Sequence, residues 1–230
     1  MNRRSASLEN GRIALLCPTR EKPQLFERLI LTLGSTTTLV DLFAYVAWDD
    51  AQLEVYQALM GKYPGVGWTF GPQVGFVRGM NGLWKLHPGY ALYQLGNDDH
   101  ECLVQGWDQR YLDEVPEDGV VCVSSLSGLG WTNPDCCHVC ALSGPLLDAV
   151  GHWGVPGTWH QHADDFAREV TVPLGRFRLL NEVLVAHRHQ QHGSVSAVIQ
   201  SEAKLLQAWR GGPGLPEALD RVRRAISEDA

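Results

Sequence analysis

In the N-terminal half of the chain, short apolar runs alternate with amphipathic stretches, and each apolar run ends in a polar cluster. Arg12 to Cys17 (RIALLC) is one such run, broken by Pro18-Thr19-Arg20. Glu21 to Leu33 then carries Leu25, Leu29, Ile30 and Leu33 at helical spacing. Pro23 falls in its first turn, where a missing N–H is tolerated. Leu42 to Ala47 (LFAYVA) ends in Trp48-Asp49-Asp50 and leads into an amphipathic segment over Ala51 to Met60. Tyr90 to Leu95 (YALYQL) reads as a buried strand that stops where Gly96 lets the backbone turn into Asn97-Asp98-Asp99-His100. Strand, helix, strand, with polar residues after each strand, is an α/β pattern.

The pattern continues with less regularity. Gly71 to Asn81 (GPQVGFVRGMN) is a glycine-punctuated connection into a short helix, and Glu101 to Gly106 is a polar segment. Gly106 to Val115 reads as a helix with Trp107, Tyr111, Leu112 and Val115 on one side, followed by a strand over Val120 to Ser124. Ser125 to Asn133 is rich in glycine and serine and reads as a loop. Cys140 to Gly144 leads into a short helix over Pro145 to Val150, and Asp164 and Asp165 open a helix over Phe166 to Val170. Glu182 to Ala186 is a further strand. Two amphipathic helices, Ala197 to Trp209 and Leu215 to Ile226, are separated by the breaker Gly211-Gly212-Pro213-Gly214.

In open α/β sheets ligands bind outside the carboxyl ends of the strands. Pro18-Thr19-Arg20, Asp49-Asp50 and Asp98-Asp99 would therefore face one crevice. Adjacent carboxylates at a strand end repel each other and cost desolvation, which a hard divalent cation such as Mg²⁺ or Mn²⁺ offsets. The competing reading is an Asx-rich loop satisfying backbone N–H groups. Arg78 and Asn81, three residues apart, share a helix face. A guanidinium there suits phosphate oxygens, and the alternatives are a surface ion pair for Arg78 and a helix cap for Asn81. Gly151 to Asp165 packs Trp153, Trp159, His152, His160, His162 and two aspartates into one stretch, too polar and aromatic for core. His187 and His189 fall on the same face of an extended chain and could share a metal or phosphate site; an exposed basic patch is the other reading. Trp131, in the glycine-rich loop, could stack on a sugar or base, or cap the core.

Composition narrows the classes. A chain of 230 residues with 44% hydrophobic content can bury a substantial core. The net charge of −7 gives no general affinity for polyanions. No apolar run is long enough for a membrane span, and MNRRSASLENGR lacks the apolar core of a signal peptide, so the expectation is a cytoplasmic protein. Six cysteines without such a signal read as reduced thiols. Cys136-Cys137-His138-Val139-Cys140 lacks paired knuckles and reads as a buried strand in preference to a zinc site.

The order and spacing of CPTREKPQLFERLI, AWDD, RGMN, LGNDDH, GWD, HADDF and HRH resemble GT-A-fold glycosyltransferases, and more narrowly the small inverting family-two-like enzymes often encoded by phages. The resemblance covers roughly residues 12 to 192. It implies a GT-A-like, Rossmann-type mixed sheet flanked by helices over residues 1–192; beyond the resemblance, the two amphipathic helices read as a C-terminal helical extension over 193–230 packed on that domain. The resemblance also implies a nucleotide-sugar donor, expected to be a UDP-sugar, held through Mn²⁺ or Mg²⁺. Pro18, Thr19, Arg20, Asp49, Asp50, Arg78, Asn81 and Asp98 would hold the donor. Asp99 and Asp98, with His189 or else His187, would ligate the metal. Asp165, or Asp164 beside it, would be the base. The family shows Glu-Asp where this chain has Asp-Asp. Trp131, Trp153, Trp159 and His162 would line the acceptor site.

The acceptor is either a hydroxyl on a glycan, lipid or small molecule, or 5-hydroxymethylcytosine in phage DNA. The DNA reading draws on a basic face of Arg168, Arg176, Arg178, Arg188 and Lys204, and would place the enzyme in the host cytoplasm. A nucleotidyltransferase and a non-catalytic sugar-nucleotide-binding module are the alternatives. Oligomeric state is not legible.

Overall fold

The computed structural model describes residues 11–128, 139–159, 162–188 and 196–227. Strand β1 (Ile13–Thr19) is its centre: Ile13 to Cys17 are fully buried, as expected of a parallel strand covered on both faces. Alternation sends Ile13, Leu15 and Cys17 to one side of the sheet and Ala14 and Leu16 to the other.

Helix α1 (Pro23–Thr36) begins with its proline in the first turn and buries Phe26, Leu29 and Leu33. It leads to β2 (Val40–Ala47), which pairs parallel with β1. Helix α2 (Leu53–Lys62) follows, then β3 (Gly67–Gly71), parallel to β2. The chain next crosses through α3 (Phe76–Leu86) to the opposite side of β1, where β4 (Leu92–Leu95) pairs with it in parallel. The order reverses between β1 and β4, and that reversal opens a crevice at their carboxyl ends.

Beyond it lie β5 (His100–Cys102), α4 (Trp107–Leu112), β6 (Cys122–Ser125), β7 (Ala141–Ser143), α5 (Gly144–Val150) and α6 (Ala163–Thr171). After a 3₁₀ turn come β8 (Phe177–Leu180), β9 (Val185–His187), α7 (Ser196–Gly211) and α8 (Gly214–Ser227). The main sheet has seven strands in the order β3-β2-β1-β4-β7-β6-β8, with β7 antiparallel to both neighbours. A separate ribbon pairs β5 antiparallel with β9, His100 opposite His187.

Each sheet face has its own core. Helices α1, α2 and α4 cover one through Phe26, Tyr56, Trp107 and Tyr111. Helices α3, α5 and α6 cover the other through Met80, Leu146 and Phe166, and Leu206, Ala218 and Val222 of α7 and α8 join that same core. Cys17, Cys102, Cys122 and Cys140 are all buried free thiols; Cys136, Cys137 and His138 lie outside the described residues. Among the described residues no helix is long and apolar enough to cross a membrane.

Candidate active site

The crevice between β1 and β4 is closed by direct bonds. Thr19, the last residue of β1, donates from Oγ1 to Asp98 Oδ2 at 3.1 Å, and the same hydroxyl lies 2.8 Å from the Tyr56 hydroxyl of α2. Lys22 donates from Nζ to Asp98 Oδ1 at 3.4 Å, and its backbone N–H donates to Tyr56. Asp98 reaches this position because Gly96 passes against β1: a Cβ there would stand 2.7 Å from the Leu16 carbonyl oxygen. Only glycine permits that approach.

Asp99 points elsewhere. Its Oδ1 is 3.1 Å from His187 Nε2 and takes no hydrogen bond of ordinary geometry, although Asp99 is almost fully buried. The β5–β9 ribbon supplies that histidine, and its ring meets His100 edge-on at 5.0 Å. The two neighbouring carboxylates therefore differ. Burial raises the Asp98 carboxyl above its usual range, and Lys22 only partly offsets this. Burial also opposes ionisation of Asp99, yet the His187 contact, helped by His100 and Lys22, holds it well below the usual range.

Asp49 and Asp50, at the end of β2, divide their work. Asp50 is buried; its Oδ1 accepts the Gln52 N–H at 2.7 Å and its Oδ2 the Glu21 N–H at 2.8 Å. Both oxygens of Asp50, expected at the donor, are engaged with backbone N–H groups of the loop. Asp49 is exposed and paired to Arg20 at 2.9 Å. Pro18 lies beneath α3, against Gly79.

A strap formed by residues 153–159 crosses the start of α3. The Asn81 amide donates to the Val77 and Trp153 carbonyls at 2.8 and 3.0 Å and accepts the Trp153 N–H at 2.8 Å. Asn81, expected at the donor, uses its amide to tie the strap down. Trp153 is 1% exposed and packs in the core, so its ring is not available to an acceptor. Trp159 differs: it is 40% exposed, and its ring covers Gly75, where a Cβ would fall 2.6 Å from ring carbon. Its carbonyl accepts the Val77 N–H, and the Arg78 guanidinium lies 5.9 Å from its ring centre. Glu202 of α7, buried, accepts the Trp159 N–H at 2.8 Å.

Three residues on, His162 precedes α6, and its Nδ1 stands 2.6 Å from Asp165 Oδ2. Asp164 and Asp165 both occupy the first turn, where the helix dipole favours carboxylates. Trp131 and His189 lie outside the described residues. Two of the five residues of the basic face expected for DNA are paired with carboxylates, Arg176 with Asp118 at 2.5 Å and Arg188 with Glu101 at 2.6 Å, and Arg178 donates to the Gly175 and Phe177 carbonyls.

Sequence reasoning missed Lys22, Tyr56, His100 and Glu202. Lys22 stands in the loop after a strand and was findable by position; Tyr56 lay unmarked within the amphipathic segment Ala51 to Met60, and nothing marked Glu202.

A cation would find Asp99 Oδ1 and His187 Nε2 side by side. Among the described residues no group of three or more His, Cys, Asp or Glu side chains forms a complete cage. A carboxylate and an imidazole nonetheless fit a Mn²⁺ or Mg²⁺ ion whose remaining positions are filled by substrate phosphates and water.

The same architecture recurs in solved structures. A mannosyltransferase from Pyrobaculum calidifontis, in complex with GDP-Man and Mn²⁺, superposes with a TM-score of 0.67 over 94% of this chain and 74% of its own, at 13% identity. Residues 1–349 of TarS from S. aureus superpose with TM-scores of 0.60 in complex with UDP and 0.61 with UDP-GlcNAc. Both cover 94% of this chain, at 10% identity, and 72% and 73% of their own. Neither a protein-family model nor a curated protein sequence matches the chain. The chain has the mixed α/β fold of GT-A glycosyltransferases, a seven-stranded central sheet flanked by helices.

Proposed function

We propose that this chain is a metal-dependent, inverting glycosyltransferase that moves a sugar from a nucleotide-sugar donor to an acceptor hydroxyl. One observation carries the reading. The Thr19–Asp98 bond joins the ends of β1 and β4 at the switch point of the sheet, and Asp99 and His187 meet beside it. Two solved proteins of this fold are in complex with nucleotide ligands, TarS with UDP or UDP-GlcNAc and the mannosyltransferase with GDP-Man and Mn²⁺.

In this reading Asp49 faces the nucleobase edge, and Arg78, backed by Trp159, faces the diphosphate. A divalent cation, when bound, supplies positive charge to the diphosphate; Asp99 and His187 are its protein ligands. Asp165 takes the proton from the acceptor hydroxyl. The oxygen forms a bond to the anomeric carbon from the face opposite the diphosphate, and the sugar–phosphate C–O bond breaks with its electron pair leaving on the nucleoside diphosphate. Of the tryptophans expected at the acceptor site, Trp159 is the described one whose ring is exposed to an acceptor. The narrower phage-type, family-two-like reading is supported by motif order alone. Neutralisation of Arg176 and Arg188 favours a hydroxyl on a glycan or small molecule over modified DNA.

Incubation with Mn²⁺ and UDP-glucose, UDP-GlcNAc or GDP-mannose, with and without candidate acceptors, tests this. Nucleoside diphosphate release supports transfer. Pyrophosphate release from UTP or GTP supplied with a sugar 1-phosphate would instead establish a nucleotidyltransferase, and binding without turnover a non-catalytic module.

A further inference from the structure

His162 stands out for three independent reasons. Among the described residues only two non-glycine positions are left-handed, Glu21 (φ 58°), in the loop after β1, and His162 (φ 69°), at the start of α6. A β-carbon makes that conformation unfavourable, and such residues persist where the surroundings impose them. Helix capping does not explain it, because the His162 side chain caps no backbone N–H of α6. The ring instead turns Nδ1 onto Asp165 Oδ2 at 2.6 Å, while Nε2 is buried with no hydrogen-bond partner among the described residues.

The burial is lopsided. The imidazole side chain is 15% exposed and the Asp165 side chain 41%. The ring is therefore a support behind a carboxylate that faces outward, not a group that itself meets a substrate. Since a carboxylate oxygen only accepts, Nδ1 carries the hydrogen of this contact. Oδ2 is then tied and Oδ1 is left for the acceptor. Without the ring, a carboxylate in the first turn of a helix swings onto the free backbone N–H groups there and becomes a cap.

We propose that His162 is a positioning residue that holds Asp165 in the orientation of a general base and keeps it from capping α6. This rests on the reading of Asp165 as the base. Two substitutions separate backbone from side chain, since glycine and asparagine both accept φ near 70°. His162→Gly keeps the turn and removes the ring. His162→Asn keeps the turn and returns an amide N–H that can reach the carboxylate.

The expected result is a kcat lowered about tenfold to a hundredfold in His162→Gly, the scale of a misplaced catalytic group, with donor KM within about twofold. His162→Asn should recover most of the loss. Independently of activity, a low-field imidazole N–H proton should appear in ¹⁵N-histidine-labelled protein and vanish in Asp165→Ala. Wild-type kcat in His162→Gly, or equal damage in both His162 variants, would overturn the proposal, as would absence of the low-field proton. Absence of sugar transfer by the wild-type enzyme, with the low-field proton present, would instead overturn the base reading on which it stands.

Discussion

Arg78 and Asp165 carry opposite halves of the proposed chemistry, and each can be isolated. A guanidinium facing a diphosphate makes charge-assisted bonds that a nucleoside lacks. Arg78→Ala should therefore weaken nucleoside diphosphate binding by about 1.5–3 kcal/mol more than nucleoside binding, measured by calorimetry. Equal losses for both ligands would place Arg78 outside the phosphate site. Asp165→Asn should leave donor affinity intact and lower turnover by roughly 10²–10⁴-fold, the contribution of a positioned base. Asp164→Asn should do less; the reverse ranking would move the base one residue back. At this scale the sequence was legible where chemistry is concentrated, as at Asp98-Asp99 and Asp164-Asp165. It was not legible where one residue type serves two ends. Trp153 and Trp159 are six residues apart in one polar stretch, yet one is core and the other exposed. Asp50 and Asp49 divide likewise into buried loop builder and exposed carboxylate paired to Arg20.

Among elements, the ends of α1 and β2 are held by α4. Asp108, 2% exposed, accepts the backbone N–H groups of Thr38 and Leu39 at 3.1 and 2.9 Å and the hydroxyl of Thr37. Burial alone would raise its carboxyl, but the Thr37 hydroxyl and the backbone N–H groups outweigh it and hold it below the usual carboxylate range. Asp108→Ala should cost about 1–3 kcal/mol in denaturant unfolding, because it strands buried donors. The sign of the pH dependence follows from the depressed folded value. The stabilisation is fully present above the unfolded carboxyl pKa of about 3.9 and is lost as pH falls through the lower folded value. Asp108→Asn should flatten that acid limb; an unchanged limb would assign acid lability to other carboxylates.

The parallel strands β1, β2 and β4 were readable as apolar runs, within two residues of their ends. Strands β3, β5 and β8 were not. Glycines bracket β3 (GWTFG), β8 is a half-buried four-residue strand, and β5 (HEC) is polar because its partner β9 brings His187 across to Asp99. Pairing of that kind depends on chain brought from far along the sequence, which local periodicity does not record.

For the whole molecule, the decisive event is the reversal of strand order at β1. It converts three separate polar clusters into one crevice, and the repeated strand–helix pattern foreshadowed it. The C-terminal helices were legible as amphipathic segments but not as part of the site. They share the core of α5 and α6, and Glu202 reaches the Trp159 strap. The crevice is a donor site if the buried Asp99 carboxylate and His187 hold a cation that in turn holds phosphate. Calorimetric titration of UDP and GDP into wild type and Asp99→Ala, each with and without Mn²⁺, tests this most directly. The expected result is tighter nucleotide binding with Mn²⁺ in the wild type, loss of that enhancement in Asp99→Ala, and an unchanged circular dichroism spectrum. Equal Mn²⁺ enhancement in both proteins, or no nucleotide binding by the wild type at all, would contradict it.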